Sequence, residues 1–130
     1  MGAWGTEPFD NDDALDFIGQ LQDLSAEEVP ERLAEVFKVA NEYVDVEEGN
    51  YVLAAIGLIV ARRVGHVNNT QAADFLQDCP FEISDELLAD ARLALGKVWC
   101  DNSELWVLWE ETDEFEQAGK VITNLKRKLM

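Results

Sequence analysis

The segment that says most about the architecture reads NYVLAAIGLIVARRV and covers residues 50–64. It is apolar on every side, and a helix without a polar face belongs in the middle of a domain. Arg62 and Arg63 place cations at the negative C-terminal end of such a helix, and Gly65 is the residue type that most often follows the last turn. A buried strand is the alternative, but alanine disfavours strands and this segment is long for one. We therefore expect a central helix here.

Apolar residues recur at helical spacing on both sides of this segment. In the first helix, an N-cap at Asp10 or Asn11 precedes an apolar stripe at positions i, i+3, i+4 and i+7. That stripe consists of Ala14, Phe17, Ile18 and Leu21. Further stripes follow after residue 70. We predict a single all-α domain over residues 1–130, a compact bundle of about six helices around the central helix.

The start of the second helix carries competing signals. Ser25 and Glu28 have the capping-box spacing, which places the start of the second helix just after Ser25. Pro30 suits the first helical position, which would start the same helix later. The Glu48-Gly49-Asn50 segment is expected to break the chain, so that the central helix begins near residue 50.

The chain opens with MGAWGTEPFDNDDALDF, residues 1–17, which combines an aromatic residue between glycines with a Pro-Phe pair and a run of acids. Chain termini usually fray unless something holds them. We therefore expect residues 1–9 to form an arm packed on the outside of the bundle. The structural motif that we expect here comprises Trp4, Phe9, Asn11, Asp12 and Asp16.

This opening resembles a bacterial family of small proteins named domain of unknown function 4259. Members of that family begin with a similar MGAWG, a Pro-Phe pair and an Asn-Asp-x-Ala-x-Asp string. The corresponding residues here are 1–5, Pro8-Phe9 and 11–16, and the similarity continues through residues 52–63 and 103–106 to Leu125 and Leu129. Glu7 departs from the pattern, because the family has glycine there. The resemblance implies a fold and a bacterial origin, but no activity.

The charge of the chain is strongly negative and unevenly distributed. Twenty-seven acids against ten lysines and arginines give a net charge of −17. Residues 1–50 alone carry fourteen of these acids and only two of the bases. Such a field repels nucleic acid and anionic membranes and attracts basic proteins. We expect a basic protein partner, with plain solubility as the alternative explanation, and neither nucleic acid nor membrane as a partner.

Two groups of residues are candidates for contact with that partner. The first group consists of acids of the second helix and its exit, namely Glu31, Glu35, Glu42, Asp45, Glu47 and Glu48. The second is Trp106 with Trp109, which share a helical face at i, i+3. Tryptophan is enriched at interface hot spots, although packing in the core would also explain the pair.

Signals for catalysis are weak. Carboxylates from Asp10 to Asp16 could bind a divalent cation, but an EF-hand loop counted from Asp10 would need Gly and Glu where Leu15 and Leu21 stand. Helix capping and the helix dipole explain these acids without a metal. His66, the only histidine, follows the expected end of the central helix and lacks a nucleophile at a recognisable spacing. We expect no catalytic residue, no metal and no cofactor.

The compartment follows from cysteine usage and hydropathy. Cys79 and Cys100 lack CxxC spacing, so a disulfide framework or zinc site is not expected. The longest apolar run, residues 51–61, is shorter than the roughly 18 residues that a membrane span needs, and no signal-peptide pattern opens the chain. We expect a non-enzymatic cytoplasmic binding protein, of which a toxin-neutralising immunity-type protein is the concrete version. A small metal-dependent enzyme built on the Asp10–Asp16 carboxylates is the alternative.

Overall fold

A computed structural model describes residues 5–38 and 43–130, which form seven helices and confirm the all-α fold. The helices are α1 (Asp12–Gln22), α2 (Glu28–Phe37), α3 (Val46–Val64), α4 (Thr70–Asp78), α5 (Asp85–Val98), α6 (Glu104–Glu110) and α7 (Phe115–Lys128). Two residues singled out from the sequence, Trp4 and Glu42, lie outside the described residues.

The helix α3 is the centre of the bundle, as predicted. It contacts each of the other six helices of the described chain, and every residue from Val52 to Ala61 is buried. The helix ends at Gly65, which adopts a left-handed φ of 85° and donates its N–H to the Ala61 carbonyl oxygen at 2.7 Å. No helix in the described ranges is long and apolar enough to cross a bilayer.

The start of α3 differs from the prediction. Asp45 caps the helix through a side-chain oxygen that accepts the Glu48 N–H at 2.8 Å, so the helix begins at Val46. The expected break at Glu48-Gly49-Asn50 is wrong, because all three residues are helical. Gly49 packs closely against α6, where a Cβ at this position would lie 3.2 Å from the Leu105 side chain.

The start of α2 is set by the capping box. The Ser25 N–H donates to Glu28 Oε1 at 2.9 Å, and the Glu28 N–H donates to Ser25 Oγ at 3.3 Å. The pKa of the Glu28 carboxyl is lowered from its ordinary value of 4.5, first by the bond from the Ser25 N–H and then by hydrogen bonding from the Ser25 side chain. The alternative start at Pro30 is wrong. Pro30 lies in the first turn, where its missing N–H removes no intrahelical bond.

At the start of α1, Asn11 rather than Asp10 is the N-cap, and its Oδ1 accepts the Ala14 N–H at 2.8 Å. The predicted apolar stripe of this helix is completely buried. On the same helix, Asp13 accepts a hydrogen bond at 2.9 Å from the side-chain amide of Asn50, a buried residue of α3. This bond joins α1 to the central helix.

A short backbone pairing joins the start of α3 to the start of α6. The Val44 N–H donates to the Asn102 carbonyl oxygen at 3.0 Å, and the Glu104 N–H donates to the Val44 carbonyl oxygen at 2.8 Å. The Glu104 carboxylate also accepts the Val46 N–H at 2.8 Å. The first turn of α3 is therefore held by two acids, Asp45 from its own segment and Glu104 from α6.

Candidate functional site

The described part of the N-terminal arm forms a tight turn over residues 7–10. The Asp10 N–H donates to the Glu7 carbonyl oxygen at 3.0 Å, and the Glu7 N–H donates to the Asp10 carboxylate at 3.2 Å. The buried Asn11 side chain donates to the Pro8 carbonyl oxygen at 3.5 Å. Hydrogen bonds within the turn and to the first helix therefore fix its conformation. Below, this segment is called the arm turn.

The arm turn lies directly on the central helix. Pro8 and Phe9 are buried, and they occupy the space above Gly57, where a Cβ would lie 3.0 Å from Pro8 Cβ and 2.9 Å from Phe9 Cζ. A side chain at position 57 would therefore collide with the arm. This role of Gly57 could not be predicted from the sequence, because a glycine within an apolar helix has no distinctive spacing.

The acids between residues 10 and 16 do not converge. Asp10 faces the Glu7 N–H and Asp13 faces Asn50, whereas Asp12 and Asp16 are exposed. Nowhere in residues 5–38 and 43–130 do three or more His, Cys, Asp or Glu side chains form a group that could hold a metal ion. These carboxylates, although close in sequence, therefore have different surroundings: one binds within the arm turn, one binds to α3, and two face solvent.

The acids proposed for partner contact fall into two groups. Glu31 and Glu35 are exposed on α2, and Glu35 lies 3.8 Å from Arg32. Asp45 and Glu47 are exposed at the start of α3, and Glu48 is half-buried there. Asp45 also has a structural role as the N-cap of α3, so its charge and its hydrogen bond must be separated in any test.

The aromatic pair of α6 requires a correction. Trp109 is only 9% exposed and belongs to the core, so Trp106 and Trp109 do not form a common exposed face. Trp106 is half-buried and meets the Phe115 ring edge-on, with ring centroids 5.5 Å apart. Phe115 in turn stacks on Trp99. These ring contacts join α6 and α7 to the C-terminal end of α5.

An exposed aromatic residue does lie beside the acids, at a position that the sequence analysis did not single out. Val44 is 2% exposed, whereas Tyr43 before it is 52% exposed and Asp45 after it is also exposed. In extended backbone, successive side chains point to opposite sides. The backbone pairing of Val44 with α6 therefore directs Tyr43 and Asp45 outward together. Below, Tyr43, Asp45 and Glu47 are called the α3 entry surface.

Comparisons with known proteins give a family for the chain. Residues 2–120 match a family model described as Domain of unknown function (DUF4259). The match extends from the N-terminal motif through α6 and into α7. No curated protein and no solved structure matches.

Proposed function

The chain belongs to the DUF4259 family, and we propose that it is a non-enzymatic binding protein that recognises a basic protein partner through its acidic surface. Specifically, we propose an immunity-type protein that neutralises a basic toxin in the cytoplasm. The residues that carry the proposal are Glu31 and Glu35 on α2 and the α3 entry surface.

One observation supports this function most directly: within residues 5–38 and 43–130, no exposed acid other than Glu35 forms an ion pair with a cation of the chain. Where both partners belong to the described residues, Arg32 with Glu35 is the one ion pair within 4 Å. Residues 1–50 carry fourteen acids and two bases, and most of the acids that the structure describes in this range are exposed. An uncompensated field of this kind raises the association rate with a partner of opposite charge.

The α3 entry surface also carries an exposed aromatic side chain beside the acids. Interface hot spots are enriched in tyrosine, which buries a large aromatic side chain against the partner. Tyr43 is more than half exposed and lies two residues before Asp45. Hydrophobic burial of Tyr43 would supply affinity, while Asp45 and Glu47 would supply charge complementarity. In the proposal, Tyr43 takes the place of the tryptophan pair of α6.

The test is a charge reversal that leaves the capping residues intact. The variant Glu31→Lys, Glu35→Lys, Glu47→Lys changes exposed side chains and preserves the N-cap at Asp45. Partners are captured from a lysate of the native host at low salt and identified by mass spectrometry, and association with a captured basic protein is then measured by stopped flow. We expect association to slow at least about tenfold in this variant. Circular dichroism checks that the variant is folded.

A control variant separates the local surface from net charge. Glu82→Lys, Glu110→Lys, Asp113→Lys makes the same change in total charge at exposed positions outside both groups. A much smaller effect of the control supports recognition at α2 and the α3 entry surface. Equal slowing in both variants would mean that net charge alone matters. Unchanged binding in both would contradict the proposal and leave solubility as the explanation of the acidity.

A further inference from the structure

A cleft of about 400 Å³ opens beside α3, where three further segments meet. These segments are the arm turn, the loop of residues 66–69 that follows α3, and the C-terminal end of α7. Apolar residues of α3 and α7, among them Val60, Val64 and Leu125, also line it. The volume falls within the range of about 300–1,000 Å³ that is usual for small-molecule sites.

Two acids line the cleft on the side of the arm turn. Glu7 is exposed, and Asp10 is half-buried with its carboxylate directed to the Glu7 N–H. In the described part of the chain, this N–H is the one hydrogen-bond donor recorded for the Asp10 carboxylate. Since a carboxylate can accept several hydrogen bonds, Asp10 retains acceptor capacity beyond its bond within the arm turn.

One cationic side chain, that of Lys128, lines the cleft on the side of α7, and His66 lines it from the loop. Lys128 and His66 are both exposed there. Residues 49–73 and 117–130 contain no acid and carry six of the ten lysines and arginines of the chain. Arg63 donates to the Met130 carbonyl oxygen at 3.3 Å, so the ends of α3 and α7 lie side by side. This end is therefore locally cationic within a strongly anionic protein.

Charges of both signs thus line one cleft without neutralising each other. Within the described residues, neither Glu7 nor Asp10 forms an ion pair with Lys128 or His66 within 4 Å. Apolar residues of the arm turn, α3 and α7 line the same cleft. A ligand that satisfies all three features carries an ammonium group, a carboxylate and an apolar body.

We propose that this cleft binds a small peptide zwitterion, a free dipeptide with apolar side chains. Its ammonium group binds at Glu7 and Asp10, its carboxylate binds at Lys128, and its side chains pack on Val60 and Val64. Glu7 and Asp10 would repel a simple anion. The net charge of −17 would in addition repel a long polyanion such as nucleic acid. The site is independent of the acidic surface proposed above.

The experiment uses leucyl-leucine as the probe, titrated into the full chain by isothermal calorimetry at constant ionic strength. N-acetyl-leucyl-leucine and leucyl-leucine amide are the matched ligands that lack one charge each. We expect saturable binding of the free dipeptide and at least about tenfold weaker binding of both blocked forms, because each has lost a charge-assisted hydrogen bond.

Variants locate the site. Lys128→Gln and Glu7→Gln, both at exposed positions, are expected to weaken leucyl-leucine binding at least about tenfold. Lys126→Gln removes a cation of the same helix that does not line the cleft and is expected to bind like the unmodified chain.

The following outcomes overturn the proposal. Absence of saturable leucyl-leucine binding excludes the site. Equal binding of the acetylated form would indicate a carboxylate site, and equal binding of the amide would indicate a cation site. Binding that Lys128→Gln leaves unchanged would place the ligand elsewhere.

Discussion

The ring of Phe9 lies so close to the backbone of Gly57 that a Cβ on the glycine would be 2.9 Å from the ring atom Cζ. Real Cβ atoms do not approach other heavy atoms this closely, so one of the two segments would have to move. Phe9 is buried and part of the core, which leaves its ring little room. Because Gly57 has no side chain, the arm turn can pack directly on the backbone of α3.

Gly57→Ala is expected to destabilise the fold by about 1–3 kcal/mol, because the new methyl group displaces Pro8 and Phe9. In an unobstructed helix the same substitution would stabilise by about 0.5–1 kcal/mol. Gly119→Ala on α7, where nothing lies within 4 Å of the added Cβ, is the matched control and is expected to stabilise. Urea denaturation measures both. Stabilisation by both substitutions would show that the arm does not press on α3.

Phe9→Ala is expected to cost about 3–5 kcal/mol of unfolding free energy, the usual effect of removing a buried phenylalanine side chain. The cost of Gly57→Ala should be smaller in the Phe9→Ala background, because the ring that collides with the new methyl group is gone. Deletion of residues 1–9 should destabilise the fold at least as much as Phe9→Ala. A melting temperature unchanged by these variants would mean that the arm does not hold the bundle together.

The sequence was sufficient for features that depend on neighbouring residues. The apolar run of α3, its glycine stop at Gly65 and the capping box of Ser25 with Glu28 all involve residues within one or two turns. In each of these signals, the residue that favours a helix boundary lies close in sequence to the backbone groups that it satisfies. They were enough to predict an all-α bundle and its central helix.

Features that depend on distant residues could not be predicted from the sequence. The bond between Glu104 and the Val46 N–H joins residues 58 positions apart, and Gly49 is explained only by the position of Leu105. The same limit applies to the candidate site. Counting charges located the acids, but only packing shows that Trp109 is buried and that Tyr43 is exposed.

The pH dependence of Glu28 tests the capping box. Its pKa is lowered below 4.5 by the bonds from Ser25, so the folded state binds fewer protons than the unfolded state near this pH. The stabilisation is fully present above pH 4.5 and is lost as the pH falls through the lowered value. We expect NMR titration of the Glu28 carboxyl to give a midpoint below 4.5. Ser25→Ala should move that midpoint upward, whereas a midpoint at or above 4.5 in the unmodified chain would contradict the capping box.

Divalent cations are expected to have no specific effect on stability. Asp10 and Asp13 are bonded to different partners, and Asp12 and Asp16 face solvent, so no shared set of oxygen ligands forms. Millimolar calcium, magnesium or manganese should shift the melting temperature no more than sodium chloride of equal ionic strength, which screens the same charge. A saturable stabilisation that Asp12→Asn and Asp16→Asn abolish would instead support the metal-dependent enzyme.

Asp45 is expected to contribute to stability and to partner recognition through different properties. Its side-chain oxygen caps α3 by accepting the Glu48 N–H, and asparagine offers an equivalent oxygen without the charge. Asp45→Asn should therefore change the unfolding free energy by only a few tenths of a kcal/mol, whereas Asp45→Ala should cost about 1 kcal/mol. Urea denaturation of the two variants measures the difference.

Glu104→Ala provides the control for this comparison, because it removes the second acid that holds the first turn of α3 and lies on α6. It should lower stability by about 1 kcal/mol. If Asp45→Asn is as stable as the unmodified chain yet associates more slowly with a basic partner, the charge of Asp45 acts in recognition. If Asp45→Asn and Asp45→Ala are equally unstable, the cap depends on the charge itself, and Asp45 then reports on the start of α3 rather than on the partner.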